Sequence, residues 1–288
     1  MMEEGDQQVY RQFLRDLKTA YGEEYLPKMQ AKLRERGLCI DEEGGRLLCC
    51  DAGRKTRAVD GWPVGCHLVF VRHGETPANA VRTFQGHIDE SPINALNDNG
   101  RQQAREAASS LCDYLSSLAP NPRRISVLSS PLSRATDTAQ AFIDCIKGYG
   151  NPAFVLDGYR TDERLTELRF GTKENMRVDD TDPSHPLHLL YRFQNCLVKD
   201  LDAPNEGSEN FAEVLLRCAE LLDEIASREQ QTGGDGERVV VMFGHSLSGG
   251  ALKILCGRGE KEGEEGAGEG LVFSGRYKLP HAQPIVLI

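Results

Sequence analysis

The chain has 288 residues, 39% hydrophobic and 27% charged, the make-up of a globular protein long enough to bury a sizeable core. Its net charge of -10 leaves no global basic field for nucleic acid or anionic membrane, so a bound anion must be held by a local cluster of positive groups. No apolar run approaches a membrane span, and the acidic start MMEEGDQQ is unlike a signal peptide. The nine cysteines are odd in number and contain no C-x-x-C pair, which argues against a disulfide framework and a zinc site. Cys112, Cys145, Cys196, Cys218 and Cys256 fall in apolar, helix-like stretches where a reduced thiol acts as a small hydrophobe. Cys49 and Cys50 are adjacent and match no ligand pattern. This usage points to a reducing cytoplasm.

Residues 7–36 read as helix from Val9, Phe13, Leu14, Leu17 and Tyr21, with Pro27 breaking or offsetting it. LCIDEEGGRLLCC reads as two short strands about a Gly-Gly turn. Residues 1–65 are taken as an N-terminal helical and hairpin appendage on a main domain of residues 66–288. Core coverage, docking and assembly, a homodimer included, are the roles open to it. From His67 onward strands alternate with helices: strands at LVFV, RISVLSS, AFVLDGY, RVVVMFGH and QPIVLI, helices at 97–118, 131–150, 208–231 and 246–257. Asn97 or Asp98 caps the first of these helices, and Pro131 is expected in the first turn of the second. Continuous apolar strands between helices predict an α/β fold with a largely parallel sheet covered on both faces. Residues 257–270, GRGEKEGEEGAGEG, read as a mobile surface loop.

Open α/β sheets place their ligands at the carboxyl ends of the strands. LVFV runs out into Arg72-His73-Gly74-Glu75-Thr76, and RISVL into Ser129-Ser130-Pro131 with Arg134 following. AFVLDGY leads to RTDERLTELRFG, which carries Glu163 and Glu167, and VVVMF ends in Gly244-His245-Ser246. If the strands are neighbours, two arginines, two histidines and a glutamate share one rim. Two guanidiniums and two imidazoles suit a tetrahedral dianion, and the helix N-termini at Arg134 and after His245 would add their dipoles. A neutral imidazole can attack phosphorus, and a carboxyl group whose pKa is raised beside bound phosphate can protonate the leaving oxygen. Each residue alone has a plainer reading: Arg134 as a solvated helix arginine, His245 as a helix cap, the glutamates as surface charge. Their joint occurrence on successive strand ends favours a site.

VRHGETPAN, SSPLSRATDTA, RLTELRFG and VVMFGHS, in this order over residues 67–288, resemble the motifs of the histidine phosphatase superfamily, the phosphoglycerate mutase-like proteins. The resemblance implies a three-layer α/β/α sandwich. It implies His73 as the nucleophile that becomes phosphohistidine, Arg72, Arg134 and His245 around the phosphate, and Glu167, in preference to Glu163, as general acid and base. It also implies that Asn79, Gln85 and Gly86 approach the substrate phosphate, and that no metal and no organic cofactor is needed. Gly74 is expected to let the backbone turn tightly and bring His73 to the anion.

Within that family the sequence is nearer to a phosphoric monoester hydrolase acting on a phosphorylated small molecule or a phosphoprotein. TFQGHID lacks the F-x-G-W of glycolytic mutases, and Phe170, which carries no hydroxyl, stands where a mutase has tyrosine. A mutase-type phosphotransferase is the alternative. A non-catalytic phospho-ligand binding or scaffold protein would have lost one of the five central residues, and all five are present. The spacing from Glu167 through Gly171 and Glu174 to Met176 resembles the fructose-2,6-bisphosphatase branch too loosely to name a substrate. PNEGSENF departs from the family's P-x-G-E-S. Residues 172–200 are expected to form a partly helical lid in which Arg177, His185, His188, Arg192 and Lys199 could face the leaving group.

Overall fold

The computed structural model describes residues 15, 18–19, 22–35, 38–40, 47–49, 62–118, 123–150, 154–177, 207–231, 238–258, 260–261, 271–272 and 279–288. Helix α1 (Tyr25–Arg34) precedes a hairpin of β1 (Leu38–Ile40) and β2 (Leu47–Cys49), paired antiparallel as the Gly-Gly turn predicts. The helix expected over 7–36 is interrupted by a turn at Gly22–Glu24, where Gly22 has φ 87°. Pro27 therefore lies in the first turn of α1, where its missing N–H leaves no helical bond unmade.

The main sheet is built from β3 (His67–Arg72), β4 (Arg123–Ser129), β5 (Phe154–Thr161), β6 (Arg238–Gly244) and β9 (Pro284–Val286). Its order is β5–β4–β6–β3–β9, with β9 antiparallel to β3 and every other pairing parallel. Between the strands run the one-turn α2 (Pro77–Ala80), then α3 (Asp98–Ser117), α4 (Ser133–Tyr149), α5 (Phe211–Gln231) and α6 (Ser246–Leu255). The unbroken apolar runs are explained by burial on both faces. Leu68, Phe70, Val240 and Met242 pack with Leu215, Leu222 and Leu252 of the α5–α6 layer. Val69, Val71, Val239 and Val241, one residue out of phase, pack with Leu111, Phe142 and Ile143 of the α3–α4 layer. Met29 and Leu33 of α1 join the first of these cores, and the Trp62 indole donates to Asp223 of α5 at 3.2 Å. The described part of the N-terminal segment thus covers apolar surface on α5.

Local chemistry sets the helix ends. The Asn97 side chain accepts from Gly100 N at 2.7 Å and caps α3, and α4 ends on Gly150 at φ 61°. Pro131 precedes α4 by two residues rather than lying in its first turn. Within the stretch expected to be a loop, β7 (Glu260–Lys261) pairs antiparallel with β8 (Leu271–Val272) just beyond its end, while residues 262–270 lie outside the described residues. Among the described residues no helix is long and apolar enough to cross a membrane, and Cys66, Cys112, Cys145, Cys218 and Cys256 are free thiols. Cys50 and Cys196 lie outside them.

Gly74 is needed for a different reason from the one expected. Its φ is not left-handed; instead, a Cβ there would land in the carbonyl of Gly100, in the first turn of α3. Reciprocally, a Cβ on Gly100 would land in the carbonyl of Glu75. Two backbones cross here with no side chain between them, directly behind His73. Gly100→Ala should destabilise the fold by about 1–3 kcal/mol through backbone overpacking, read as a lowered melting midpoint. An unchanged midpoint would show that the crossing tolerates a methyl group.

Candidate active site

His73 is the first residue past β3, and its N–H donates to Gly244 O at 2.9 Å. Its Nδ1 lies 2.7 Å from Gly74 O, and a carbonyl only accepts, so Nδ1 carries the proton and Nε2 keeps the lone pair. His245 leaves the end of β6 beside it, with the two ring centroids 5.1 Å apart. His245 Nε2 pairs with Ser130 Oγ at 2.8 Å, at the end of β4. Arg134, in the first turn of α4, is fully buried and donates from Nη2 to Gly86 O at 2.8 Å. Arg72 donates from Nη1 to Leu279 O at 2.6 Å. The three strand ends β3, β4 and β6 are adjacent in the sheet, so the rim expected from the sequence is contiguous.

Among the described residues, Arg134 Nε and Nη1 and His245 Nδ1 are buried without a hydrogen-bond partner. Buried donors left unpaired cost on the order of 1–3 kcal/mol each, more for charged groups. Such atoms, on residues grouped with His73, are suited to receive an anion. The same crowding sets protonation. Burial first, then Arg134 and Arg72, holds the His73 pKa well below 6.5. Burial, helped by Arg134 and His73, does the same to His245. Burial pulls the Arg134 guanidinium down to about 10, still charged near neutrality.

Glu167 and Glu163 part company here: Glu163 is exposed, whereas Glu167 is buried in the pocket. The Glu167 carboxylate accepts from Leu168 N at 2.9 Å and from Ser246 N and Leu247 N, both at 3.1 Å. Burial raises its pKa above 4.5 against the pull of those amides and the two arginines. The loop is fixed from behind, because Glu167 O meets His87 Nε2 at 2.6 Å and Arg217 Nη2 at 3.2 Å. Arg217 in turn forks onto Glu209, at 2.8 Å and 3.1 Å. Glu209, from the described end of PNEGSENF, thus supplies a carboxylate that anchors the Glu167 loop through Arg217.

Several expectations change. Neither helix N-terminus is open to an anion. The start of α4 is taken by Asp89, which accepts from Ser133 N and Oγ, both at 2.8 Å, and the first amides of α6 hold Glu167. Asn79 and Gln85 bond to each other at 2.8 Å, and Gln85 passes on to Asn94 at 3.1 Å. Asn79 also closes a capping box with Thr76. One N–H of each amide is thus committed within a linked chain of side chains. Gly86, at φ 50°, leaves room for the Glu174 carboxylate that a Cβ would strike. Phe170 is buried edge-on against Phe84 at 4.6 Å. Of the suggested lid, residues 178–200 lie outside the described residues, and with them His185, His188, Arg192 and Lys199; Arg177 bridges Thr83. The sequence reading missed His281, whose ring centroid is 5.6 Å from that of His73. Its only signal was its place just before the last strand.

The family model for the histidine phosphatase superfamily (branch 1) matches residues 68–264. A mannitol-1-phosphatase of Eimeria tenella is 31% identical over 98% of this chain and 90% of its own length. Phosphoglycerate mutase-like protein 4 of Arabidopsis thaliana is 33% identical over 66% of this chain and 70% of its own. Among solved structures, a mycobacterial glucosyl-3-phosphoglycerate phosphatase in complex with VO3 superposes with a TM-score of 0.50 at 27% identity, over 65% of this chain and 78% of that one. With the motifs, the mixed sheet and these matches in agreement, the chain belongs to the histidine phosphatase superfamily.

Proposed function

We propose that the chain hydrolyses small-molecule phosphate monoesters through a phosphohistidine on His73, with Glu167 as general acid and then general base. The observation that carries this reading is the set of buried atoms without a hydrogen bond, Arg134 Nε and Nη1 and His245 Nδ1, on residues grouped with His73 and the lone pair of its Nε2. In the first step Nε2 attacks phosphorus, the ester P–O bond breaks, and the leaving oxygen takes the Glu167 proton. In the second, water attacks phosphorus, gives a proton back to Glu167, and the P–N bond breaks to release phosphate. Arg72, Arg134 and His245 hold the phosphoryl oxygens throughout, so two guanidinium charges and a neutral imidazole are in place before the transition state forms.

Residues 66–288 are read as the catalytic unit and residues 1–65 as its appendage. A sugar-alcohol phosphate is the substrate class favoured, because the mannitol-1-phosphatase similarity runs through the N-terminal residues as well as the motifs. Phe170, buried against Phe84, favours hydrolase over mutase, since it offers no hydroxyl to a second anionic group. The free thiols fit a cytoplasmic setting.

His73→Ala should lose at least about a thousandfold in kcat on both mannitol 1-phosphate and p-nitrophenyl phosphate; turnover retained in that variant would remove His73 as nucleophile. Glu167→Gln should slow mannitol 1-phosphate by about 100-fold or more and p-nitrophenyl phosphate far less, because only the alkoxide needs the proton. Equal losses on both would remove Glu167 as the acid. On 3-phosphoglycerate any product should be free phosphate; formation of the 2-isomer would establish the mutase reading.

The pH dependence has a definite sign. Glu167 must be protonated in the first step, and its raised pKa keeps it so above the ordinary 4.5. Activity on an alkyl phosphate should therefore persist above that value and fall as pH rises through the pKa of the folded protein. Glu167→Gln should remove that falling limb, and a limb that survives in the variant would assign the titration to another group.

A further inference from the structure

The His73 peptide sits where the sheet runs out. On one side its N–H continues the parallel ladder to Gly244 O at 2.9 Å. On the other side the antiparallel ladder to β9 ends at Val71 opposite Pro284, with one further backbone bond from Ala282 N to Arg72 O at 2.9 Å. The carbonyl of His73 lies beyond that bond. A side chain takes over there: His281 Nδ1 lies 3.1 Å from His73 O. A carbonyl only accepts, so Nδ1 of His281 carries the proton in this contact. The two rings also meet directly, with centroids 5.6 Å apart and planes at 60°.

The turn that presents His281 is fastened to the phosphate pocket at several points. Leu279 O accepts from Arg72 Nη1 at 2.6 Å, and Leu279 N donates to Ser246 Oγ at 3.3 Å. Ala282 adopts φ 46°, a left-handed conformation that a residue with a Cβ holds only when its surroundings fix it. His281 is thus aimed by the backbone rather than lying free on the surface.

We propose that His281 is a positioning residue for phosphoryl transfer: its Nδ1–H holds the main-chain carbonyl of His73 and its ring braces the His73 imidazole, so that Nε2 stays aimed at phosphorus. The N–H and the C=O of His73 are then both held, by Gly244 and by His281, and the ring pivots on a backbone fastened on either side. A misplacement of about 1 Å at a reacting atom costs on the order of 100-fold in rate.

The inference rests on His73 being the nucleophile. The test uses the full chain with His281→Leu and His281→Asn, single-turnover formation of phosphoenzyme from p-nitrophenyl phosphate, and His73→Ala alongside. Leucine keeps bulk and loses the donor; the asparagine amide can donate to the same carbonyl. His281→Leu should slow phosphoenzyme formation by about 30-fold or more with KM within about threefold, and His281→Asn should stay within about fivefold of the unaltered chain. A wild-type rate in His281→Leu, a loss confined to KM, or an asparagine variant as slow as the leucine one would overturn the role. If His281→Leu does not fold, nitrogen-15 histidine spectra of the unaltered chain decide: His281 should be protonated at Nδ1, and a lone pair at Nδ1 overturns the proposal. Phosphoenzyme formed by His73→Ala would instead bring down the nucleophile assignment itself, so the two failures are distinct.

Discussion

In the parallel pair β3–β6, Arg72 lies opposite Gly244, and the amide of His73 bonds the Gly244 carbonyl. That one register sends two histidines out of the sheet side by side, 172 positions apart in sequence, with their rings 5.1 Å apart. A slip of one residue would turn every side chain of the strand to the other face and send His73 away from His245. Both faces of β3 are packed in apolar cores, so such a slip is strongly disfavoured. The site inherits its geometry from a register that the hydrophobic cores enforce.

Once the histidines are paired, the electrostatics follow from burial. Arg134 has no exposed surface; burial works against its charge, which the Glu167 and Asp89 carboxylates offset in part, with Asp89 Oδ1 3.8 Å from Nη1. Burial first, and then the neighbouring guanidiniums, disfavours the imidazolium forms and leaves His73 with a lone pair. Burial pushes the Glu167 pKa the opposite way, up from its ordinary value. The exclusion of water thus favours the neutral form of both groups, with the arginines adding to the effect on His73 and opposing it on Glu167. The price is stability, since unpaired buried donors are carried until an anion meets them.

The strands, the order of the motifs and the five central residues were legible because each is a local pattern. An apolar run ends on Arg72-His73, another on Gly244-His245, and strand ends are where such sheets keep their ligands. Features that depend on which backbone crosses which were not legible. Gly74 looked like a turn glycine and is a crossing-point glycine, because its partner Gly100 lies in a helix the sequence gives no reason to place there. The two helix N-termini looked free and are occupied by Asp89 and Glu167, carboxylates brought from separate loops. Nor was it legible that Asn79 donates to Gln85 and Gln85 to Asn94, a chain of amides drawn from separate turns. His281 was invisible because nothing in QPIVLI says that the last strand runs antiparallel beside β3, which is what brings the residue before it to the rim.

The most direct test of the central claim is to trap the intermediate. The chain is mixed with a phosphorus-32-labelled monoester, quenched in alkali within milliseconds to seconds, digested and mapped by mass spectrometry. The account predicts an acid-labile, alkali-stable phosphate on the imidazole of His73 and nowhere else. Label on another residue, or full turnover with no protein-bound phosphate on any timescale, would contradict it.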